Sequence, residues 1–457
     1  MENPLFSRFW QLSVGIAVVA LAGCTSAAPR EAAVRAQLPV AAVWAASAWG
    51  GAIPSGAAPS TPVASGAEKL SADAAVNLAF SGSPQARGLR AAFLAAVAGI
   101  DAAAAPGGIH FSWARLSPDA GLAKLALALA VPLDEWLTLP ARQRQAYWDR
   151  AAAAQRAAFA TLQLESRVRE AWAKAVAGQR QAALLARAAE TAELAAELAT
   201  RYRDAGSLPL REWNAQQQAA ANALAAAAEA GVEAAAARAE LANLLGLPST
   251  DPRLVLPEAL PSPPALAGST AAASAEQESQ QVAAALRQRL DLLAARSAWM
   301  ASQVHAGSSR VWSRLPSLAV GAERERETDG AQVTGPALEA DWSPAGAAVV
   351  RGANAEVDVA EAAAATLAVE VANDVRLRSL AYRRALDLDT LLGQHLQQLQ
   401  AAVVAEAQRQ QSFMLVGPFD LLEQRRGVDE LAARAEQQRL AAWSAWFALQ
   451  QASGVAP

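Results

Sequence analysis

Apolar positions recur along the chain with two periods, near 3.6 and 2, and the two alternate in a fixed order. Ser71 is placed to cap a helix, with Asp73 in its first turn and Ala75, Leu78 and Ala79 on one face. Gly82-Ser83-Pro84 interrupts that pattern, and a second helical run continues from Gln85 to about Ala104. After Pro106-Gly107-Gly108 the period drops to two. Ile109, Phe111 and Trp113 alternate with His110, Ser112 and Ala114, and beyond a Ser-Pro-Asp turn Leu125, Leu127 and Leu129 alternate with Ala126, Ala128 and Ala130. Two alternating segments joined by a turn predict a β-hairpin with one bulky apolar face and one small or polar face.

The helical period then returns from Arg142 to Ala205. A helix of about 64 residues extends roughly 95 Å. Leu184, Ala188, Thr191, Leu194, Leu198 and Tyr202 keep the alternating three- and four-residue spacing of a coiled-coil seam. Gly206 breaks the helix and Pro209 suits the first turn of the next. There the seam is expected through Trp213, Gln217, Leu224, Gly231, Leu241 and Leu245, until Gly246 and Pro248 stop it. Proline-rich residues 248–264 read as a linker.

The plan then repeats. A helical run from about Ser274 to Ser302 precedes Leu318, Val320 and Ala322, which alternate with Ala319, Gly321 and Glu323. A charged turn is expected from Glu325 to Gln332, then a strand in which Leu338, Ala340 and Trp342 alternate with Glu339 and Asp341, ended by Pro344 and Gly346. A long helix to Val416, a break at Gly417-Pro418 and a return helix to about Gln451 complete the half. Leu127 to Gly206 and Leu338 to Gly417 both span 79 residues. The chain is a tandem duplication: residues 70–247 and 274–452 form the repeats, 248–273 the linker and 453–457 a short tail.

Composition narrows the possibilities. Of 457 residues, 53% are hydrophobic but only 5% aromatic, so the apolar content is mostly Ala, Leu and Val. A net charge of −4 gives no basic footprint for nucleic acid. One Cys excludes a disulfide framework, and His110, His305 and His395 are too scattered for a metal cage. No phosphate loop and no nucleophile motif with a partner His occurs, so neither an enzyme nor a cofactor is expected.

Arg8 and the apolar run Leu12 to Leu21 have the form of an export signal over residues 1–23. The run ends in Leu21-Ala22-Gly23-Cys24, which resembles the lipobox of bacterial lipoproteins; the alternative is an ordinary export signal with an incidental Cys. The resemblance implies that Cys24 carries covalent lipid, and with Thr25 next it implies delivery to the outer membrane. Residues 24–69, rich in Ala, Ser, Gly and Pro, read as a tether. No later stretch is apolar enough for a spanning helix, so any crossing must use strands in a closed barrel. Four strands are too few, the smallest single-chain barrels having about eight. The strands therefore pair across subunits or belong to a soluble sheet. Helices near 100 Å, export and an anchor together suggest a homo-oligomeric tube with a shared barrel and helices in the periplasm.

At this point the chain resembles the TolC-like outer-membrane factors of tripartite efflux and type I secretion systems, over about residues 70–452. The carrying segments are Leu70 to Val76, Leu137-Thr138-Leu139-Pro140-Ala141-Arg142, Arg201-Tyr202 through Gly206, Leu244 to Pro248, and Val416-Gly417-Pro418-Phe419-Asp420-Leu421-Leu422-Glu423. Arg289-Leu290-Asp291 departs from the family's Arg-Pro-Asp, so a less sharply turned start to the second half is expected. The resemblance implies a mainly α fold with a small β part: a periplasmic α-barrel of long hairpins plus four transmembrane strands per chain, closing as a 12-stranded barrel in a homotrimer. It implies a passive, gated efflux duct in the outer membrane, partnered by a periplasmic adaptor and, through it, an inner-membrane pump. Ile109, Phe111, Trp113, Leu125, Leu127, Leu129, Leu318, Val320, Leu338, Ala340 and Trp342 would face lipid. Glu323, Glu339 and Asp341 would face the lumen, unless the sheet is simply solvated.

By the same resemblance, Gly206, Gly417 and Pro418 mark the adaptor-docking tips, where glycine permits the positive φ a tight reversal can require. Plain helix reversal is the other reading of each glycine. Asp420 and Glu423 share a helical face and by resemblance ring the tunnel entrance as a gate, with Arg425 or Arg426 as ion-pair partners. Taken alone they also fit a solvated Glu/Arg surface. The architecture's alternative is a pore-less periplasmic coiled-coil scaffold or adaptor lipoprotein.

Overall fold

The computed structural model describes residues 69–116, 124–265, 271–327, 330, 332–342, 344–412 and 417–454. The export signal, Cys24, the tether and the Ser-Pro-Asp turn lie outside the described residues. The elements are α1 (Ala72–Gly82), α2 (Pro84–Ala103), β1 (His110–Leu116), β2 (Lys124–Pro132), α3 (Leu133–Asp204), α4 (Leu210–Leu245), α5 (Ala271–Gln288), α6 (Leu290–Trp312), β3 (Ser317–Glu327), β4 (Gln332–Asp341), α7 (Gly346–Ser412) and α8 (Pro418–Ser453). The order is helices, hairpin, long helix, return helix, twice over.

Local chemistry sets the boundaries. Ser71 caps α1, its Oγ accepting from the Ala74 N–H at 3.2 Å. Ser83 caps α2, with Pro84 in the first turn. The long helix α3 begins at Leu133, nine residues before the sequence pattern placed it, and runs 72 residues. Asp134 and Glu135 in its first turn favour that start. Pro140 lies inside the helix rather than ahead of it. The Arg142 guanidinium brackets this turn, donating to Glu135 O at 2.6 Å and to Ala105 O at 3.0 Å beyond the end of α2.

The expected run from Ser274 to Ser302 is corrected to two helices that break at Arg289. The break residue is extended like Ser83 (φ −65°, ψ 135°), without a following proline. Arg289 is extended (φ −65°, ψ 120°), and its guanidinium bonds Asp291, Asp374 Oδ2 and Ala452 O. Asp291 in turn accepts from the Leu292 N–H at 2.8 Å. A guanidinium network thus holds the break that proline would otherwise impose.

The two breaks are matching junctions. Gly246 ends α4 with φ +70°, and a Cβ there would meet Pro84 Cδ at 2.7 Å. Gly454 ends α8 with φ +72°, and a Cβ there would meet Arg289 Cα at 3.1 Å. Each return helix therefore ends against the start of a short upper helix, α4 on α2 and α8 on α6. The long helices α3 and α7 run past both junctions. Near the sheet α3 packs on α2 and α6, and toward the tips on α4 and α8, while α7 packs on α6 and then α8. Each level is a wall four helices wide.

The largest core lies at the first junction, where Trp172, Leu241, Leu245 and Val168 meet α1. The Trp172 indole N–H donates to Leu70 O at 2.8 Å. Residues 248–265 are a strap across this core rather than a free linker. Leu254, Leu256 and Leu260 are buried, the Leu70 N–H donates to Val255 O, the Trp443 indole donates to Pro261 O, and the buried Tyr382 hydroxyl donates to Pro264 O. Burial pushes the Tyr382 hydroxyl up to about 12.

The helical seams differ from the sequence expectation. Leu184, Ala188 and Thr191 are buried, but below them the buried positions are Ala195, Ala196 and Ala199, while Leu194 and Tyr202 are exposed. On α4 the expected Leu241 and Leu245 are buried near the junction, but toward the tip the buried positions are Ala220 and Ala230, with Leu224 and Gly231 exposed. Small side chains take the interior because they let neighbouring helices approach closely, which turns the larger ones outward.

Candidate functional site

The four strands form one antiparallel sheet in the order β1-β2-β3-β4. Directly paired residues project to the same face, so the register sorts every strand residue. Trp113 pairs with Leu127, Leu127 with Arg324, and Arg324 with Thr334. Phe111 pairs with Leu129, Leu129 with Ala322, and Ala322 with Pro336, while Val320 pairs with Leu338 and Leu318 with Ala340. All eleven apolar positions named from the sequence share this one face by register and alternation. Trp342, Leu338, Trp113, Phe111 and Ile109 are each at least 65% exposed in the single chain.

Trp113 and Trp342 lie near opposite ends of that face. Between Thr334, in the row of Trp113, and Trp342, β4 advances roughly 27 Å. With strands tilted by 35–45°, that is about 19–22 Å along a barrel axis, a little under the apolar band of about 25 Å, edged by aromatic girdles, of membrane barrels.

The opposite face is small and acidic. Glu323 lies across from Ala128, Glu339 across from Ala319, and Asp341 across from Ser317. The three acidic residues named from the sequence thus share one face. One more belongs there: the expected turn from Glu325 is corrected, because β3 continues through Glu327, and Glu325 pairs with Ala126. The alternation Glu323-Arg324-Glu325-Arg326-Glu327 is a strand pattern, and its charge density disguised it as a turn.

At the other end of the molecule the two tips touch. Tyr202 at the end of α3 and Phe419 at the start of α8 pack edge to face, with ring centroids 5.8 Å apart. The first tip is further braced by Arg203 over the Trp213 ring at 4.2 Å, and by Trp213 Nε1 and Gln217 Nε2 donating to Thr200 Oγ1, each at 3.1 Å. The sequence pattern places Tyr202, Trp213 and Gln217 on helix seams but does not indicate these contacts, nor the part of Thr200 and Arg203. The aromatic pair joins residues far apart in the chain, and no local spacing signals it.

Gly206 adopts φ +73°, and the Ser207 N–H closes the reversal onto Tyr202 O at 2.8 Å. The expectation of a left-handed glycine at the second tip is corrected: Gly417 caps α8 with φ −70° and ψ 159°. The reason is Pro418, which disfavours the helical region for the residue before it. Asp420 holds that cap, its Oδ2 accepting from the Gly417 N–H at 3.3 Å. Glu423 is exposed and reaches Arg426 Nη2 only at 4.0 Å, while Arg426 Nε lies 3.5 Å from Glu430. Asp420 and Glu423 sit on the first two turns of α8, beside the first tip.

Above the tips, charged groups are partly buried between helices. Arg439 on α8 pairs with Glu436 at 3.3 Å and with Asp389 on α7 at 3.6 Å. Burial pushes both carboxyls up from their ordinary values against the pull of Arg439. Arg187 on α3 reaches Asp429 on α8 at 3.3 Å. No cluster of metal-ligating side chains occurs among the described residues, and no described helix is long and apolar enough to cross a membrane.

A bundle of very long helices attached to a small sheet with one lipid-compatible face defines the class. No family model and no curated relative matches the sequence. Solved structures do. The chain superposes on the Campylobacter jejuni CmeC outer membrane channel with TM-score 0.67 at 14% identity, covering 84% of this chain and 85% of that one. The outer membrane protein VceC of Vibrio cholerae gives TM-score 0.60 at 19% identity, covering 84% and 96%. The open-state MtrE outer membrane channel of Neisseria gonorrhoeae gives 0.58 at 16%, covering 84% and 89%. The fold is that of the TolC-like outer-membrane channels, in line with the resemblance drawn from the sequence.

Proposed function

We propose that three copies of this chain close a twelve-stranded barrel in the bacterial outer membrane and form the passive exit duct of a tripartite efflux or type I secretion system. The observation that carries this reading is the sheet: all four strands share one apolar face, and β1 and β4 are its edges. Exposed edges are a liability that barrel closure removes. Four strands from each of three chains supply an even number of antiparallel strands, as bacterial single-chain barrels have. The helical wall supports the same assembly. Its flanks, α2 with α4 and α7, leave Leu94, Leu210, Val232, Val359, Val369 and Leu377 exposed in the single chain, and neighbouring walls would cover part of that surface.

In this assembly Cys24 carries the lipid anchor and needs no other cofactor. The tips at Gly206 and at Gly417-Pro418 dock a periplasmic adaptor, which couples the duct to an inner-membrane pump. Asp420 and Glu423, three copies each, ring the entrance as its gate, and Glu323, Glu339 and Asp341 line the lumen. The chain is no enzyme in this reading, and the energy comes from its partners.

The decisive experiment is the mass of the mature protein extracted from outer membranes in mild detergent, by light scattering with the detergent contribution subtracted. A trimer that precipitates without detergent is expected. A monomer or dimer that stays soluble once the lipid is removed would overturn the barrel and favour the pore-less scaffold.

A further inference from the structure

The apolar face of the sheet is not apolar to its end. Along β3 it carries Leu318, Val320 and Ala322, then Arg324 and Arg326. Arg115 on β1 belongs to the same face and row: it pairs with Leu125, which pairs with Arg326, which pairs with Gln332. Two strand spacings separate Arg115 from Arg326, about 10 Å, and Arg324 lies about 7 Å from Arg326 along the strand. All three are exposed. Glu323 and Glu325 project to the opposite face, and the other described residues around the three arginines on their own face are Trp113, Leu125, Leu127, Gln332 and Thr334. Arg324 donates to the neutral Gln332 Oε1 at 2.5 Å, and no carboxylate shares this face beside it among the described residues.

From this we infer that Arg115, Arg324 and Arg326 form a binding site for the phosphate groups of a membrane lipid, in the leaflet at the hairpin-turn end of the barrel. The inference rests on the barrel reading above. Three features point to a lipid phosphate rather than a free anion or a protein. The arginines continue an apolar face, so an occupant that reaches them has its chains beside Leu125, Leu127 and Phe111. Trp113 shares the row of Arg324, and tryptophan marks the depth of lipid headgroups. Guanidinium groups bind phosphate through two parallel N–H···O bonds, and phosphate is the anion that lipid headgroups offer at that depth. Arginine stems can also run along the apolar face while their heads reach the interface.

The test uses the full chain purified in mild detergent, after its mass has been measured. The protein is equilibrated with mixed micelles containing either a bisphosphorylated lipid A or zwitterionic dioleoylphosphatidylcholine, and retained lipid is counted per chain by native mass spectrometry. Lipid A should be retained in preference to phosphatidylcholine. The variant Arg115→Gln/Arg324→Gln/Arg326→Gln should bind it at least about tenfold more weakly, with phosphatidylcholine unchanged. Lys124→Gln, on the opposite face, should leave retention as it was. Should the glutamine variant fail to assemble, Arg115→Lys/Arg324→Lys/Arg326→Lys keeps the charge but lacks the planar fork, and retention should still fall. Equal retention by the assembled variants would overturn the site, as would full displacement of the lipid by equimolar inorganic phosphate, which would identify a free-anion site. A soluble single chain at the mass measurement sinks the barrel and this inference together, whereas a trimer with unchanged lipid binding sinks this inference alone.

Discussion

At the level of single residues, the two tip glycines do different work. Gly206 occupies left-handed backbone, where a Cβ costs about 1–2 kcal/mol. Gly417 sits in extended backbone, where its Cβ would lie 3.4 Å from Asp420 Oδ2, an ordinary contact. Gly206→Ala should therefore speed hydrogen exchange of the Ser207 amide by about fivefold or more, while Gly417→Ala should leave the exchange of α8's first turn nearly unchanged. Equal effects at the two positions would contradict the assignment. Asp420 combines a cap with a proposed gate, and substitution can separate the two. Asp420→Asn retains an oxygen acceptor for the Gly417 N–H but removes the charge, whereas Asp420→Ala loses both. If the carboxylate ring gates the duct, both variants raise conductance in planar bilayers. Only the alanine variant should also fray the start of α8, by about 1 kcal/mol.

Among the elements, the junction at Arg289 is the most exposed to a single change. Its guanidinium, 13% exposed, ties the start of α6 to α7 through Asp374 and to the end of α8 through Ala452 O. Arg289→Ala would leave Asp291 and Asp374 without that partner, and about 2–4 kcal/mol of local stability should go with it. The amides of Leu292 and Leu293 should then exchange at least about tenfold faster. The α7–α8 contact carries a pH dependence. Burial raises Glu436 above its ordinary 4.5, so the folded state binds that proton more tightly than the unfolded state. The resulting stabilisation is full below 4.5 and is lost as pH rises through the folded value. Glu436→Gln should abolish this part of the slope in thermal midpoint against pH. A slope identical to that of the unaltered protein would show that Glu436 is not its source.

At the scale of the whole molecule, the acidic sheet face becomes a property of the proposed lumen. Three chains place nine carboxylates there from Glu323, Glu339 and Asp341 alone, a field that favours cations. Neutralising them as Glu323→Gln/Glu339→Gln/Asp341→Asn should move the reversal potential in a salt gradient toward the anion side. An unmoved potential would place these residues away from the conduction path. The four-helix wall bears on the proposed assembly in the same way. It buries Ala-rich seams within one chain and leaves larger apolar residues along its edges, which neighbouring walls would cover in the proposed trimer.

Much of this was legible in the sequence because it is local. Periods of 3.6 and 2, the glycines and prolines that punctuate them, and the 79-residue strand-to-tip spacing shared by both halves set the element order, the duplication and the two sheet faces. Alternation alone assigns a strand residue to a face, and pairing then only aligns the strands. What tertiary structure decided lies wherever partners come from distant segments. Toward the tips, helix packing chose alanines over Leu194 and Leu224 for the seams, since close approach favours small side chains. The core at the first junction turned an apparent linker into a strap, because Leu254, Leu256 and Leu260 are buried only there. Pro418 overruled the glycine before it, and Arg289 made a helix break through Asp374 and Ala452, partners brought near it only by the fold.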